Sequence, residues 1–157
     1  MSGRRGPVGE RELVGAEPTS GFRGLVGYVI DAWREGYCEM VLEVGPQHVN
    51  RSGVLHGGVV STLIDASCGY AGCFCPDPDR VRKAVTLSLN THFARAATGG
   101  TVRAIGRVKG GGRRIFFASA ELVDARGDIL ALGDGSFRYF RGSEDPAGVP
   151  IDTRLTG

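Results

Sequence analysis

A single acidic side chain, Asp65, interrupts the apolar run that follows Asn50-Arg51-Ser52-Gly53-Val54-Leu55-His56-Gly57-Gly58. A carboxylate among apolar neighbours can take a proton from water or attack a carbonyl carbon, and it is costly to bury without a purpose. His56-Gly57-Gly58 falls where the helical pattern begins. The first backbone N–H groups of a helix have no partner within it and point beyond its end, so this position suits an oxyanion or a carbonyl oxygen. Helical spacing is expected to place Gly58, Ser61, Thr62, Cys68, Gly69 and Gly72, all small, on the Asp65 face. Val59, Val60, Leu63, Ile64, Tyr70, Ala71 and Phe74 are expected opposite. One side would then fill a core, and the other would leave room for a ligand or a second subunit. Glycine inside a helix costs roughly 1 kcal/mol relative to alanine, so close approach is the expected reason for Gly69 and Gly72.

The elements around this helix are legible from punctuation and period. Residues 1–20, rich in Gly, Glu, Arg and Pro, predict a flexible arm. Leu25 to Trp33 and Tyr37 to Val44 predict a hairpin across Arg34-Glu35-Gly36. Pro46, Asn50, Ser52 and Gly53 mark a loop, the helix is expected from about Gly57 to Phe74, and Pro76-Asp77-Pro78-Asp79 ends it. Turn signals at Thr98-Gly99-Gly100, Gly110-Gly111-Gly112 and Ala125-Arg126-Gly127-Asp128 then divide four antiparallel strands, at about 82–96, 101–109, 113–124 and 128–140. Alternation in the first of these predicts Thr86, Ser88, Asn90 and His92 on one face. Residues 142–157, with Pro146 and Pro150, predict an irregular tail.

Size and charge narrow the function. A chain of 157 residues, 41% hydrophobic, suits one domain with a real core, here expected over 21–141. There is no apolar run long enough to span a membrane and no apolar signal region after Met1, so a soluble cytoplasmic protein is expected. Cys38, Cys68, Cys73 and Cys75 are then expected as buried thiols, and their spacing does not suit zinc; no metal is expected. No acid lies between Asp79 and Glu121, a stretch holding Arg95, Lys109, Arg113 and Arg114 among its cations. These could be solvated strand ends, or a surface for a phosphorylated ligand. Nucleic acid is disfavoured, since the net charge is only +2 and no recognition motif accompanies the basic residues.

A long helix between a hairpin and a four-stranded meander can bury its apolar side only if a curved sheet wraps it. The expected class is therefore α+β, a hotdog fold with a long central helix in a curved, mainly antiparallel sheet of about six strands. Asn50, Leu55-His56-Gly57-Gly58, Leu63-Ile64-Asp65 and the Gly69 to Gly72 segment also resemble the signature of the PaaI-like acyl-CoA thioesterases. The likeness continues at Asn90 to Ala97 and Gly112-Arg113-Arg114, and spans about residues 24–140.

The resemblance implies hydrolysis of an aryl- or medium-chain acyl-CoA, with Asp65 as general base or as a nucleophile passing through a mixed anhydride. It implies the Gly57 N–H as donor to the thioester oxygen, Asn50 and Thr86 as groups orienting water or the carboxylate, and His56 shaping the oxyanion site or assisting the leaving group. In that family the pocket lies between subunits, so Asn50 and Gly57 of one chain would face Asp65 of the other. A homodimer is the minimum unit implied, and a homotetramer the expected assembly. Arg113 and Arg114, then Lys109 and Arg95, would hold the nucleotide of coenzyme A, which is part of the substrate; no separate cofactor is implied.

Two other readings compete. A hotdog domain could bind acyl-CoA without cleaving it, with Asp65 a structural acid. A hotdog hydratase or dehydratase would need a histidine paired with its acid, and Tyr70 stands where that branch is expected to have one.

Overall fold

The computed structural model describes residues 20–152. The expected N-terminal arm lies, except for Ser20, outside the described residues. In chain order the elements are α1 (Gly21–Val26), β1 (Val29–Arg34), β2 (Tyr37–Val44), a short 3-10 turn (Pro46–His48), α2 (Gly57–Gly72), β3 (Arg80–Val81), β4 (Ala84–Phe93), β5 (Gly100–Gly111), β6 (Ile115–Asp124), β7 (Ile129–Tyr139) and β8 (Val149–Pro150). Six strands form one antiparallel sheet in the order β1-β2-β5-β6-β7-β4. It is the α+β hotdog arrangement, with α2 packed on the sheet.

The first hairpin strand starts later than its composition predicts. Ser20 accepts a hydrogen bond from the Arg23 N–H, and Gly27 closes the turn at a φ of 88°. These caps make residues 21–26 helical, so the strand begins at Val29.

The predicted helix ends two residues early, at Gly72, and its faces divide differently from the expectation. Val60, Leu63, Ile64, Ser67, Cys68, Ala71 and Gly72 are buried, a clean stripe at helical spacing. Cys68 and Gly72 therefore belong to the core and not to the Asp65 face. Phe116 and Phe137 explain the rest: a Cβ added at Gly72 would lie 2.2 Å from the Phe116 ring, whereas one at Gly69 would come no closer than 3.8 Å to Phe137. Close approach accounts for Gly72 alone. Gly72→Ala is expected to destabilise by about 1–3 kcal/mol through overpacking, and Gly69→Ala to leave stability unchanged or raise it by up to about 1 kcal/mol. Thermal unfolding of the two variants measures the difference, and equal melting temperatures would contradict this division of the helix.

Sheet and helix meet closely because small residues line the contact. Ala104, Ala118, Ala120 and Ala131 are buried, and a Cβ at Gly106 would strike the Ser67 carbonyl oxygen. Met40, Leu42, Leu63, Ile64, Val102, Leu122 and Phe137 fill the space between.

Strand β4 is an uncovered edge of the sheet. Its register against β7 slips between Thr86 and Ser88, so Leu87 is an extra residue. The slip reverses the predicted alternation at one point. Ser88 bonds Ser136 and Asn90 bonds His92 in exposed positions, while Thr86, opposite the buried Phe137, points toward α2. Leu87 and Phe93 are 51% and 61% exposed.

The segment after Gly142 contains turns and the two-residue strand β8, which pairs with β3. Among the described residues, no helix is long and apolar enough to cross a membrane.

Candidate active site

The N-terminus of α2 is set by side chains that occupy backbone groups of the preceding loop. Asn50 Oδ1 accepts from the Ser52 and Val54 N–H groups, at 2.9 and 3.2 Å. His48, buried, accepts from the Gly45 N–H at Nδ1 and lies 2.6 Å from the Val26 carbonyl at Nε2. His56 is the helix N-cap: its Nδ1 accepts from the Gly58 N–H at 2.8 Å, and its carbonyl accepts from Val59 and Val60. With Nδ1 an acceptor, the imidazole proton of the neutral ring sits on Nε2. The Gly57 N–H makes no hydrogen bond within the described residues. It is the first-turn donor left for a ligand.

Two turns along, Asp65 is half-buried and its Oδ1 accepts from the Thr86 hydroxyl at 2.7 Å. The bulge at Leu87 makes this bond possible, because it turns Thr86 inward. Asp65 lines a cavity of about 660 Å³ whose walls include Tyr28, Trp33, Gly69, Tyr70, Phe137 and Phe140. Trp33 is 4% exposed, donates from Nε1 to the Tyr70 carbonyl at 2.7 Å, and meets the Tyr70 ring edge-on at 5.2 Å. These contacts hold the Trp33 and Tyr70 part of the wall in place. Burial raises the Tyr28 hydroxyl above the usual range, and Asp65 raises it further against the opposing pull of Arg23, so it stays a neutral phenol.

Cys68 is no nucleophile. It is fully buried, and burial, with Asp65 and Asp134 adding to it, pushes its thiol up to about 12. At neutral pH it carries no thiolate and packs as a small apolar side chain.

Among the sequence-predicted residues, the structure joins Asp65 with Thr86, and groups Asn50, His56 and Gly57 around the helix start. It does not join the two groups. Gly57 and Asp65 are eight positions apart, about 12 Å along the helix axis. Gly57 instead borders a smaller cavity of about 270 Å³ with Phe93 and Arg95.

The predicted cations do not converge either. Arg95 pairs with Asp128 at 3.0 Å. Lys109 is exposed near the end of β5. Arg113 borders one hollow with Asp145, and Arg114 another, of about 330 Å³, with Arg138 and Arg141; Glu144 lines both. A spread of this kind follows from strand geometry: neighbours in sequence leave a hairpin on opposite sides.

A sequence profile of the thioesterase superfamily matches residues 52–131, which contain the helix start, Asp65 and Thr86. The chain belongs to the thioesterase superfamily. It is a thioester hydrolase. Among relatives of this thioesterase, a proposed esterase of Pseudomonas aeruginosa is 33% identical over 132 residues, 83% of this chain and 95% of the relative. Acyl-coenzyme A thioesterase 13 of Mus musculus is 32% identical over 98 residues, 61% of this chain and 66% of the relative. A solved structure of a conserved protein from Pseudomonas aeruginosa has a TM-score of 0.68 at 32% identity, over 76% of this chain and 94% of that one. The PaaI protein of E. coli, from its phenylacetic acid degradation operon, shares the fold at a TM-score of 0.67 and 23% identity, over 76% of this chain and 83% of that one.

Sequence reading missed most of the thioesterase's cavity wall. Tyr28, Trp33, Phe137 and Phe140 lie on strands or beside them, far apart in the chain, and read as ordinary core or strand residues. Their aromatic character was the available signal. Arg138 and Arg141 were missed because they lie beyond Glu121, where the acid-free stretch ends.

Proposed function

We propose that this thioesterase hydrolyses the thioester of an aryl- or medium-chain acyl-CoA to free acid and coenzyme A, through Asp65 of one protomer and Gly57 of the partner subunit. The observation that carries this reading is the Asp65 carboxylate, braced by Thr86 at an aromatic-walled cavity. A cavity of this kind holds an apolar acyl group and limits water at the reacting carbon. The relative named acyl-coenzyme A thioesterase 13 supports coenzyme A as the leaving thiol.

Thr86 occupies Asp65 Oδ1, which leaves Oδ2 for the reaction. As general base, Asp65 takes a proton from water, the hydroxide adds to the thioester carbon, and charge gathers on the carbonyl oxygen. Collapse breaks the C–S bond, and the leaving thiolate takes up the proton held by Asp65. As nucleophile, Asp65 adds to the same carbon, expels the thiolate and leaves a mixed anhydride that water cleaves. Both routes need a donor at the carbonyl oxygen, and the Gly57 N–H has the positive end of α2 behind it.

One chain cannot aim both groups at one carbonyl across about 12 Å of helix. A homodimer is the minimum active unit, with the open β4 edge as the natural surface to cover, and a homotetramer is the expected assembly. His56 positions the Gly57 N–H by securing its neighbour, and Asn50 braces the loop through Oδ1 while its amide nitrogen is left to orient water. Arg113 and Arg114 hold the nucleotide phosphates, with Lys109 and Arg95 as lesser contributors. Arg138 and Arg141 add to the Arg114 hollow, where three arginines outweigh the one carboxylate, Glu144.

The test is thiol release from a panel of acyl-CoA esters, run beside the matching N-acetylcysteamine esters. The expected result is turnover that favours aryl or medium-chain groups, with a higher KM for the truncated esters. Tight acyl-CoA binding without thiol release would make the protein a sensor and overturn the proposal.

A further inference from the structure

The segment that follows β7 closes one side of the Asp65 cavity, and it lies beyond the residues that the superfamily profile matches. It is sewn to the body at several points. Arg80 donates from Nε and Nη2 to the carbonyls of Ala147 and Gly148, at 2.7 and 2.6 Å. Arg82 donates to the Ser143 carbonyl at 2.9 Å and lies over the Tyr139 ring, 4.4 Å from its centroid. Cys75 Sγ lies 3.4 Å from the Ala147 carbonyl, and β8 pairs with β3. The strap then turns so that the Ile151 N–H meets the Asp79 carbonyl at 3.2 Å, and Ile151 joins Phe140, Val81 and Ala84 on a cavity wall that also carries Arg82 and Lys83.

This arrangement is more than a surface tail. An arginine that spends two donors on backbone carbonyls fixes the height of the strap over the sheet, and Gly148 makes the turn at a φ of 70°. Ile151 is 51% exposed, so the core does not need it. It instead lines the same cavity as Asp65.

We propose that Ile151, held in place by the Arg80 clamp, is a specificity-determining residue that limits the bulk of the acyl group beside Asp65. The proposal rests on the acyl-CoA hydrolase reading above, and deepens it by assigning the cavity to the acyl arm of the substrate. A hydrophobic wall discriminates by size: each methylene that fits or clashes changes kcat/KM by about tenfold or more.

The experiment compares the full-length wild type, Ile151→Trp, Ile151→Ala and Arg80→Ala on straight-chain and aryl acyl-CoA esters of rising size, with inhibition by free coenzyme A measured in parallel. Ile151→Trp is expected to lower kcat/KM for the bulkiest accepted ester by about tenfold while acetyl-CoA stays within about twofold. Ile151→Ala and Arg80→Ala are expected to shift the preference toward larger groups. Free coenzyme A should inhibit all four proteins equally. Equal changes across all acyl groups, or a changed inhibition by free coenzyme A, would assign the wall to the pantetheine arm and overturn the proposal. An unchanged profile would overturn it too. A wild type silent on every ester would instead remove the hydrolase reading itself, and this inference with it.

Discussion

Asp65→Asn is expected to lower turnover of the best acyl-CoA ester by about 10²- to 10⁴-fold, the range for a positioned base or nucleophile. The substitution keeps the shape of the side chain and can still accept a hydrogen bond from Thr86, so the fold should hold and KM should change little. What is lost is the negative oxygen at the cavity, which cannot be replaced by a neutral amide in either route. Circular dichroism and a melting curve beside the kinetics separate chemistry from folding. Turnover within threefold of wild type, in a folded variant, would remove Asp65 from the mechanism. A single turnover of the wild type in H₂¹⁸O tests the side-chain route: oxygen-18 found in the Asp65 carboxylate means attack by the side chain followed by water at the aspartyl carbonyl, whereas label found only in the acid product fits both activated water and an anhydride opened at its acyl carbonyl.

The reason to expect a large effect is structural. Asp65 sits on the half-open side of a helix whose other side is entirely core, and the inward turn of Thr86 gives it one fixed partner. The helix itself was legible from its apolar spacing and its Pro76-Asp77-Pro78 stop, and the meander from its glycine turns. Two details were not. The faces of α2 depend on which side the Phe116 ring approaches, a contact between elements more than forty positions apart, and no local period records it. Thr86 was read onto the face of Ser88, Asn90 and His92 because strict alternation assumes a regular ladder; the extra residue at Leu87 breaks it, and a bulge leaves little trace in an otherwise uniform strand. The C-terminal strap escaped for a similar reason. Its order comes from Arg80, Arg82 and Cys75, some sixty to seventy positions away, and not from its own composition.

Gly57→Pro is expected to lower turnover by about 10²- to 10³-fold while leaving the helix intact, the loss typical of one oxyanion donor. Proline is favoured at the first helical position, where its missing N–H is unpaired in any case. The preceding residue, His56, already has the φ of −63° and ψ of 135° that proline requires of its neighbour. The ring would press on Phe93, which a Cβ at this position meets at 3.3 Å, and because Phe93 lies on the β4 edge, a melting curve and the dimer state are measured beside the kinetics. The decisive measurement mixes this variant with Asp65→Asn after reversible unfolding. If each site draws Asp65 from one protomer and Gly57 from the other, a mixed dimer has one site with both groups intact and one with neither. Random pairing makes half of the dimers mixed, so about a quarter of all sites, and about a quarter of wild-type activity, should return from two nearly inactive proteins. Sites confined to single chains would give no recovery, because every chain in the mixture lacks one of the two groups. Recovery therefore reads out the division of labour between protomers directly, and its absence in folded, mixed dimers would place oxyanion donor and carboxylate in separate roles.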